Sequence, residues 1–127
     1  MKRPILRYHH LGVPTVEPRG DEYHLPELGV HVVGYENNPF RIEWMRFEAD
    51  SPLPGLVKTM PHLAFQVEDL SAALEGHELL IPPNSPSEGV RVAFIVHDGS
   101  PVEFLEFDAG HPDRLPDKDR MEAPKHG

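Results

Sequence analysis

Residues Val90-Arg91-Val92-Ala93-Phe94-Ile95-Val96-His97-Asp98-Gly99-Ser100-Pro101-Val102-Glu103-Phe104-Leu105-Glu106-Phe107 read as two alternating strands joined by a tight turn. Sixty positions earlier, residues 30–47 repeat that plan without a gap. Val30 and Val32 fall on Val90 and Val92, and the turn Asn37-Asn38-Pro39 falls on His97-Asp98-Gly99. Ile42-Glu43-Trp44-Met45 falls on Val102-Glu103-Phe104-Leu105, and Phe47 on Phe107. A shift of 52 lays His10-Leu11-Gly12-Val13 on His62-Leu63-Ala64-Phe65. Each half is therefore a strand that carries His near its start, a variable connection, and a hairpin whose last strand carries Glu.

Outward from these strands, Arg7–Val13, Val30–Tyr35, Phe40–Phe47 and His62–Val67 are expected to be extended, with Glu78–Ile81 a short strand stopped by Pro82-Pro83. Asp69–Gly76 reads as a short helix, with Asp69 as N-cap and Leu70, Ala73 and Leu74 on one apolar stripe. Pro14, Pro18, Gly20 and Pro26 leave the first half room for one helical turn at best, around Asp21 to His24. The expected division is a first module over 1–49, a linker over 50–60, a second module over 61–108 and a polar C-terminal tail over 109–127. The tail's composition reads as a mobile segment.

Side chains alternate along a strand, so His10 and His62 share faces with small or polar neighbours. Glu43 shares its face with Met45 and Phe47, and Glu103 with Leu105 and Phe107. The opposite faces carry Leu11, Val13, Leu63, Phe65, Trp44 and Phe104, as a helix-packed side would. The His/Glu faces can then enclose a pocket walled by Met45, Phe47, Leu105 and Phe107. Two imidazoles and two carboxylates suit a divalent ion such as Ni, Zn, Co, Mn, Fe or Mg. Such an ion polarises a carbonyl, and a Glu beside it can move a proton from the adjacent carbon. His9 falls on the other face and has no aligned partner. His24, His31, His77 and His97 read as solvated strand, turn or loop residues. Arg41 and Arg91 read as solvated, with contact to an acidic substrate group as the alternative. Arg46 and Glu106 are aligned by the repeat and could pair.

The chain is 127 residues long, with 12 basic and 21 acidic side chains and a net charge of −9. That balance excludes nucleic acid and an anionic membrane surface as main partners. With no cysteine, disulfides, thiolate metal sites and cysteine nucleophiles are excluded. No apolar run approaches a membrane span, and Met1-Lys2-Arg3-Pro4-Ile5 lacks the apolar stretch of a signal peptide, so a cytoplasmic location is expected. With 15 Pro and 10 Gly, short elements are expected.

The His-Leu-Gly-Val opening at 10–13, the Pro-His-Leu-Ala-Phe-Gln-Val-Glu-Asp-Leu opening at 61–70, and the closing Ile-Glu-Trp and Asp-Gly-Ser-Pro-Val-Glu segments resemble the vicinal oxygen chelate superfamily. This group includes glyoxalase I, bleomycin resistance proteins and extradiol dioxygenases. The resemblance covers residues 7–108 and is more specific in the second half. It implies an α+β fold of two βαβββ modules with cup-shaped mixed sheets, the first-module helix being short or missing here. It implies metal ligands at His10, Glu43, His62 and Glu103. Four ligands imply a lyase or isomerase of glyoxalase or epimerase type, with Glu43 or Glu103 moving a proton next to a metal-bound carbonyl of a small-molecule substrate. A non-catalytic drug-sequestering module and an extradiol-type dioxygenase, which uses two His and one Glu, are the alternatives. Open sheet edges make a homodimer expected.

Overall fold

The computed structural model describes residues 4–117. The first module holds β1 (Arg7–Pro14), β2 (Tyr23–Leu25), β3 (Val30–Val33) and β4 (Ile42–Phe47). A helical segment α1 (Gly55–Thr59) follows. The second module holds β5 (His62–Gln66), α2 (Leu70–Leu74), β6 (Glu78–Asn84), β7 (Val90–His97) and β8 (Ser100–Phe107). All eight strands form one curled mixed sheet, ordered β2-β3-β4-β1-β5-β8-β7-β6. In each module the first and last strands run parallel: β1 with β4 and β5 with β8. The modules meet where β1 and β5 pair antiparallel, so the two halves are joined within one chain.

The two faces divide as alternation requires. On the outer side of the second module, α2 lays Leu70 and Ala73 against Val67, Ala93, Ile95 and Phe104. Asp69 caps this helix by accepting from the Ala72 N–H, and Gly76 leaves it at φ 80°. The inner side has two equivalent walls: Val30, Val32 and Met45 in one module, Val90, Val92, Leu105 and Phe107 in the other. The β7–β8 turn puts Asp98 and Gly99 at φ 49° and 81°, as a tight hairpin between right-twisted strands needs.

The structure departs from the sequence expectations at five places. Tyr23 and His24, expected within a helical turn around Asp21 to His24, belong with Leu25 to β2, because the flanking prolines deny a helix its length and the backbone pairs with β3 instead. β3 stops at Val33, and a 3₁₀ turn over Tyr35–Asn37 turns the Tyr35 ring inward. β6 runs through Pro82 and Pro83 to Asn84. It does so with register shifts, which the edge of the sheet tolerates because its outer side needs no N–H donor. The stretch read as a linker contains α1, whose Val57 is buried. Within the segment read as a tail, the described part folds back onto the sheet: the Leu115 N–H donates to Gln66 Oε1 at 2.7 Å. Residues 118–127 lie outside the described residues.

Phe104 is the largest of the buried side chains in the α2 layer. Phe104→Ala is expected to cost about 3–5 kcal/mol in urea unfolding, whereas Leu63→Ser, at a half-exposed position on the same face, is expected to stay within about 0.5 kcal/mol.

Candidate metal centre

Strand register brings the four predicted side chains to the seam between the modules. Gly12 of β1 is paired with His62 on one side and Glu43 on the other. Two residues along, Ala64 of β5 is paired with His10 on one side and Glu103 on the other. Two rows thus cross the sheet, each with a nearly absent side chain at its centre. The His62 ring lies over Gly12: a Cβ there would sit 2.7 Å from Nε2 and 2.8 Å from Nδ1.

Three donors converge on this seam. His10 Nε2 and His62 Nε2 approach Glu103 Oε1 at 3.4 and 3.2 Å, and ligand atoms of the three residues all lie within 4.8 Å of one another. All three residues are buried. Glu43 stands outside this trio. Its Oε1 is 3.5 Å from His10 Nε2, and its side chain is 18% exposed, against 11% for Glu103. Among the described residues, His62 Nδ1 is a buried nitrogen with no hydrogen-bond partner.

His9 is the residue that strand alternation misplaced. A bulge between Tyr8 and His10 puts two residues of β1 against one of β5, so His9 turns to the same side as His10. It is fully buried, between the rings of Tyr35, Phe107 and His10. The Asp113 carbonyl can only accept, so His9 Nε2–H donates to it at 2.7 Å. Arg41 lies 3.3 Å from the same nitrogen and donates through Nε to the His9 carbonyl, which disfavours a second proton on this ring. The remaining lone pair, on His9 Nδ1, then accepts from His10 Nδ1–H at 2.9 Å. This proton order leaves His10 Nε2 as the nitrogen directed at the carboxylates.

The electrostatics separate the two acids. Burial alone would raise Glu103, but hydrogen bonds from His10 and His62 outweigh it and hold the carboxyl at about 2. Glu43 is raised, by burial first; His10 opposes this and Glu103 adds to it. Burial lowers His10, yet the Glu103 hydrogen bond and the charges of Glu103 and Glu43 leave it raised overall. Burial pushes His9 down to about 4, against the pull of the Asp113 carbonyl.

Beside the seam lies a cavity of about 870 Å3, into which His10, Glu43, His62 and Glu103 all open. Met45, Leu105 and Phe107 line it. Phe47 does not; its ring packs into the Val30/Val32/Met45 wall, where Leu25 and Leu28 from the β2–β3 hairpin reach the cavity instead. Among the described residues no Lys or Arg lines the cavity, whereas Asp21, Glu36 and Asp113 do. The two candidate arginines are engaged elsewhere. Arg41 lies 4.7 Å over the Tyr35 ring, and Arg91 pairs with Glu106 and Asp108. Arg46 pairs with Glu22 rather than with Glu106.

No family model and no curated protein matches the chain. Among solved structures it is similar to hypothetical protein BH1468 from Bacillus halodurans C-125, with a TM-score of 0.62 and 18% identity over 84% of this chain and 97% of that one. Methylmalonyl-CoA epimerase from Mycobacterium tuberculosis gives a TM-score of 0.49 at 19% identity, covering 80% of this chain and 86% of that one. The first likeness establishes a shared fold.

Two outcomes follow from this geometry. Gly12→Ala is expected to displace the His62 ring and lower the melting temperature, whereas Gly55→Ala, which meets no atom within 4 Å, is expected to be harmless. Thermal unfolding and imidazole NMR of the two variants check this. In the metal-free protein, His9 lies below its ordinary 6.5, so the unfolded chain binds a proton first and stability falls as pH drops from 6.5 to 4. Glu103 contributes stability above its ordinary 4.5 that is lost as pH falls towards 2. His10 is raised, so its contribution is complete below 6.5 and is lost as pH rises through its folded value. Denaturation across pH should lose the most acidic limb in Glu103→Gln and the limb between 6.5 and 4 in His9→Asn.

Proposed function

We propose that His10, His62 and Glu103, with Glu43 as a fourth and more weakly held ligand, bind one divalent metal ion, and that the chain is a lyase or isomerase of the vicinal oxygen chelate type. The donor set fits such an ion: two imidazoles and an ionised carboxylate converge, and Gly12 vacates the space that the His62 ring needs. A bound ion would polarise a carbonyl oxygen and stabilise charge on the neighbouring carbon.

The chain's own groups divide the remaining work. Glu43 is the base: it has one imidazole neighbour against two for Glu103, it faces the cavity, and burial makes its carboxylate the more basic of the two. It takes the proton from the carbon beside the carbonyl and returns it at another position or face, so no oxidant is needed. Glu103 remains ionised as a ligand. His9 fixes which nitrogen of His10 faces the metal. The valine and phenylalanine walls keep water from the reacting carbon.

The cavity also narrows the substrate. With acids and no cation among the described residues of its lining, it favours a neutral or cationic small molecule with an apolar body over a phosphate or carboxylate carrier. We extend the reading to a cytoplasmic homodimer in which a second copy covers edge strand β2 or β6.

The observation that carries this reading is the convergence of His10, His62 and Glu103 beside a free-standing Glu43. Metal analysis after loading should find about one ion in this site, lost in His62→Ala, and His9→Ala should weaken binding by about 10–100-fold. Glu43→Gln should keep the ion but slow solvent deuterium exchange into carbonyl substrates by about 10²–10⁴-fold. No metal under any loading condition would overturn the proposal. The same trio also suits a non-haem Fe(II) oxygenase. Oxygen uptake with catechols under Fe(II) would favour that second reading, and tight apolar-ligand binding without metal or turnover would favour a sequestering module.

A further inference from the structure

Among the described residues, no helix takes the place on the outer face of the first module that α2 fills in the second. Side chains that the sequence placed in solvent gather there. His24 of β2 and His31 of β3 are direct cross-strand partners. Their rings stack with centroids 4.2 Å apart and planes within 7°. Both Nε2 atoms point at one oxygen, Glu48 Oε2, at 2.8 and 3.0 Å. Ligand atoms of the three residues all lie within 4.8 Å of one another.

We propose that His24, His31 and Glu48 form a second metal site, selective for a borderline divalent ion such as Zn(II), and that it acts as a clip on the cavity rim. The inference is independent of the reading of the seam site. The donor chemistry is imidazole and carboxylate, with the remaining positions left to water. Its backbone is set in advance. The two histidines are fixed by strand register, and Glu48 is fixed by its N–H donating to the Gly29 carbonyl at 2.8 Å and by its carbonyl accepting from Ser51 at 3.0 Å. The nearest cation, Arg46, is already neutralised by both oxygens of Glu22, at 2.6 and 2.8 Å, so it does not claim Glu48.

Both imidazole nitrogens are directed at one carboxylate oxygen, so the three donors converge without any change of backbone. A divalent ion there would require only that the side chains turn until each in-plane lone pair meets it. The consequence lies on the other side of the sheet. β2 is a three-residue edge strand, and its Tyr23 and Leu25 line the cavity. A metal that ties His24 to Glu48 therefore pins the strand that forms one wall of the pocket.

Equilibrium dialysis and calorimetry with Zn(II) on the full chain test this, alongside hydrogen exchange at residues 23–25. The wild type should bind about two ions, His62→Ala about one, and His24→Asn or His31→Asn about one fewer than its parent. Zn(II) should slow exchange of the β2 amides in His62→Ala and leave them unchanged in His31→Asn. If His62→Ala does not fold, the wild type compared with His24→Asn and His31→Asn gives the same difference. Unchanged stoichiometry in both surface variants, or no slowing of β2 exchange by Zn(II) in the wild type and His62→Ala, would overturn the proposal, as would Zn(II) binding in the millimolar range shared by any surface histidine.

Discussion

The pairing of β1 with β5 sets Gly12 opposite His62 and Ala64 opposite His10, and the parallel pairs add Glu43 and Glu103 to the far sides of the same two residues. Four donors can turn to one side of the sheet only because the residues between them have almost no side chain. A valine at either position would fill the space where the rings lie. The duplication supplies this economically: Gly12 and Ala64 are equivalent positions, each two residues after an equivalent histidine. One local rule, a small residue two places beyond the histidine, builds half of the cluster in each module, and the antiparallel seam brings the halves together.

Repeat symmetry governs the inner face and fails on the outer one. Inside, Val30 and Val32 in one wall answer Val90 and Val92 in the other. Outside, the second module buries Phe104 and Ile95 under α2, while the first exposes a network of Glu22, Arg46, His24, His31 and Glu48. The proline-rich β1–β2 connection cannot form a helix, and Arg19 instead lies 4.4 Å over the Trp44 ring. A bare apolar face would be an aggregation hazard, so ionic and cation–π pairing at positions 44, 46 and 31 is what makes the missing helix tolerable.

Much of this was legible in the sequence because it depends on periods. Alternation and the two offsets located the longer strands and most of the inner walls, and set His10, Glu43, His62 and Glu103 on the inner side as candidates. What failed did so where a local irregularity overrode the period. A single bulge reversed the face of His9, and no pattern of apolar residues announces a bulge. Phe47 obeyed its parity yet missed the cavity, because the β2–β3 hairpin brings Leu25 and Leu28 across it. The stacking of His24 on His31 was hidden because β2 itself was hidden: three residues beside prolines carry no periodic signal. Only the register of that short strand puts two histidines, seven positions apart in sequence, face to face.

The bulge also explains why four residues placed by symmetry need not do the same work. β1 departs from regular pairing between Tyr8 and His10, and the extra residue it accommodates, His9, links His10 to the Asp113 carbonyl. His62 has no such support: its Nδ1 is without a partner among the described residues. Glu103 therefore draws on one imidazole held firmly in place and one held only by shape, and it is strongly ionised between them. Glu43 shares the firmer imidazole at longer range and is the more exposed of the two carboxylates. A duplicated fold thus arrives at two carboxylates of opposite electrostatic character, one held strongly ionised and one raised by burial, beside one inserted residue in one strand.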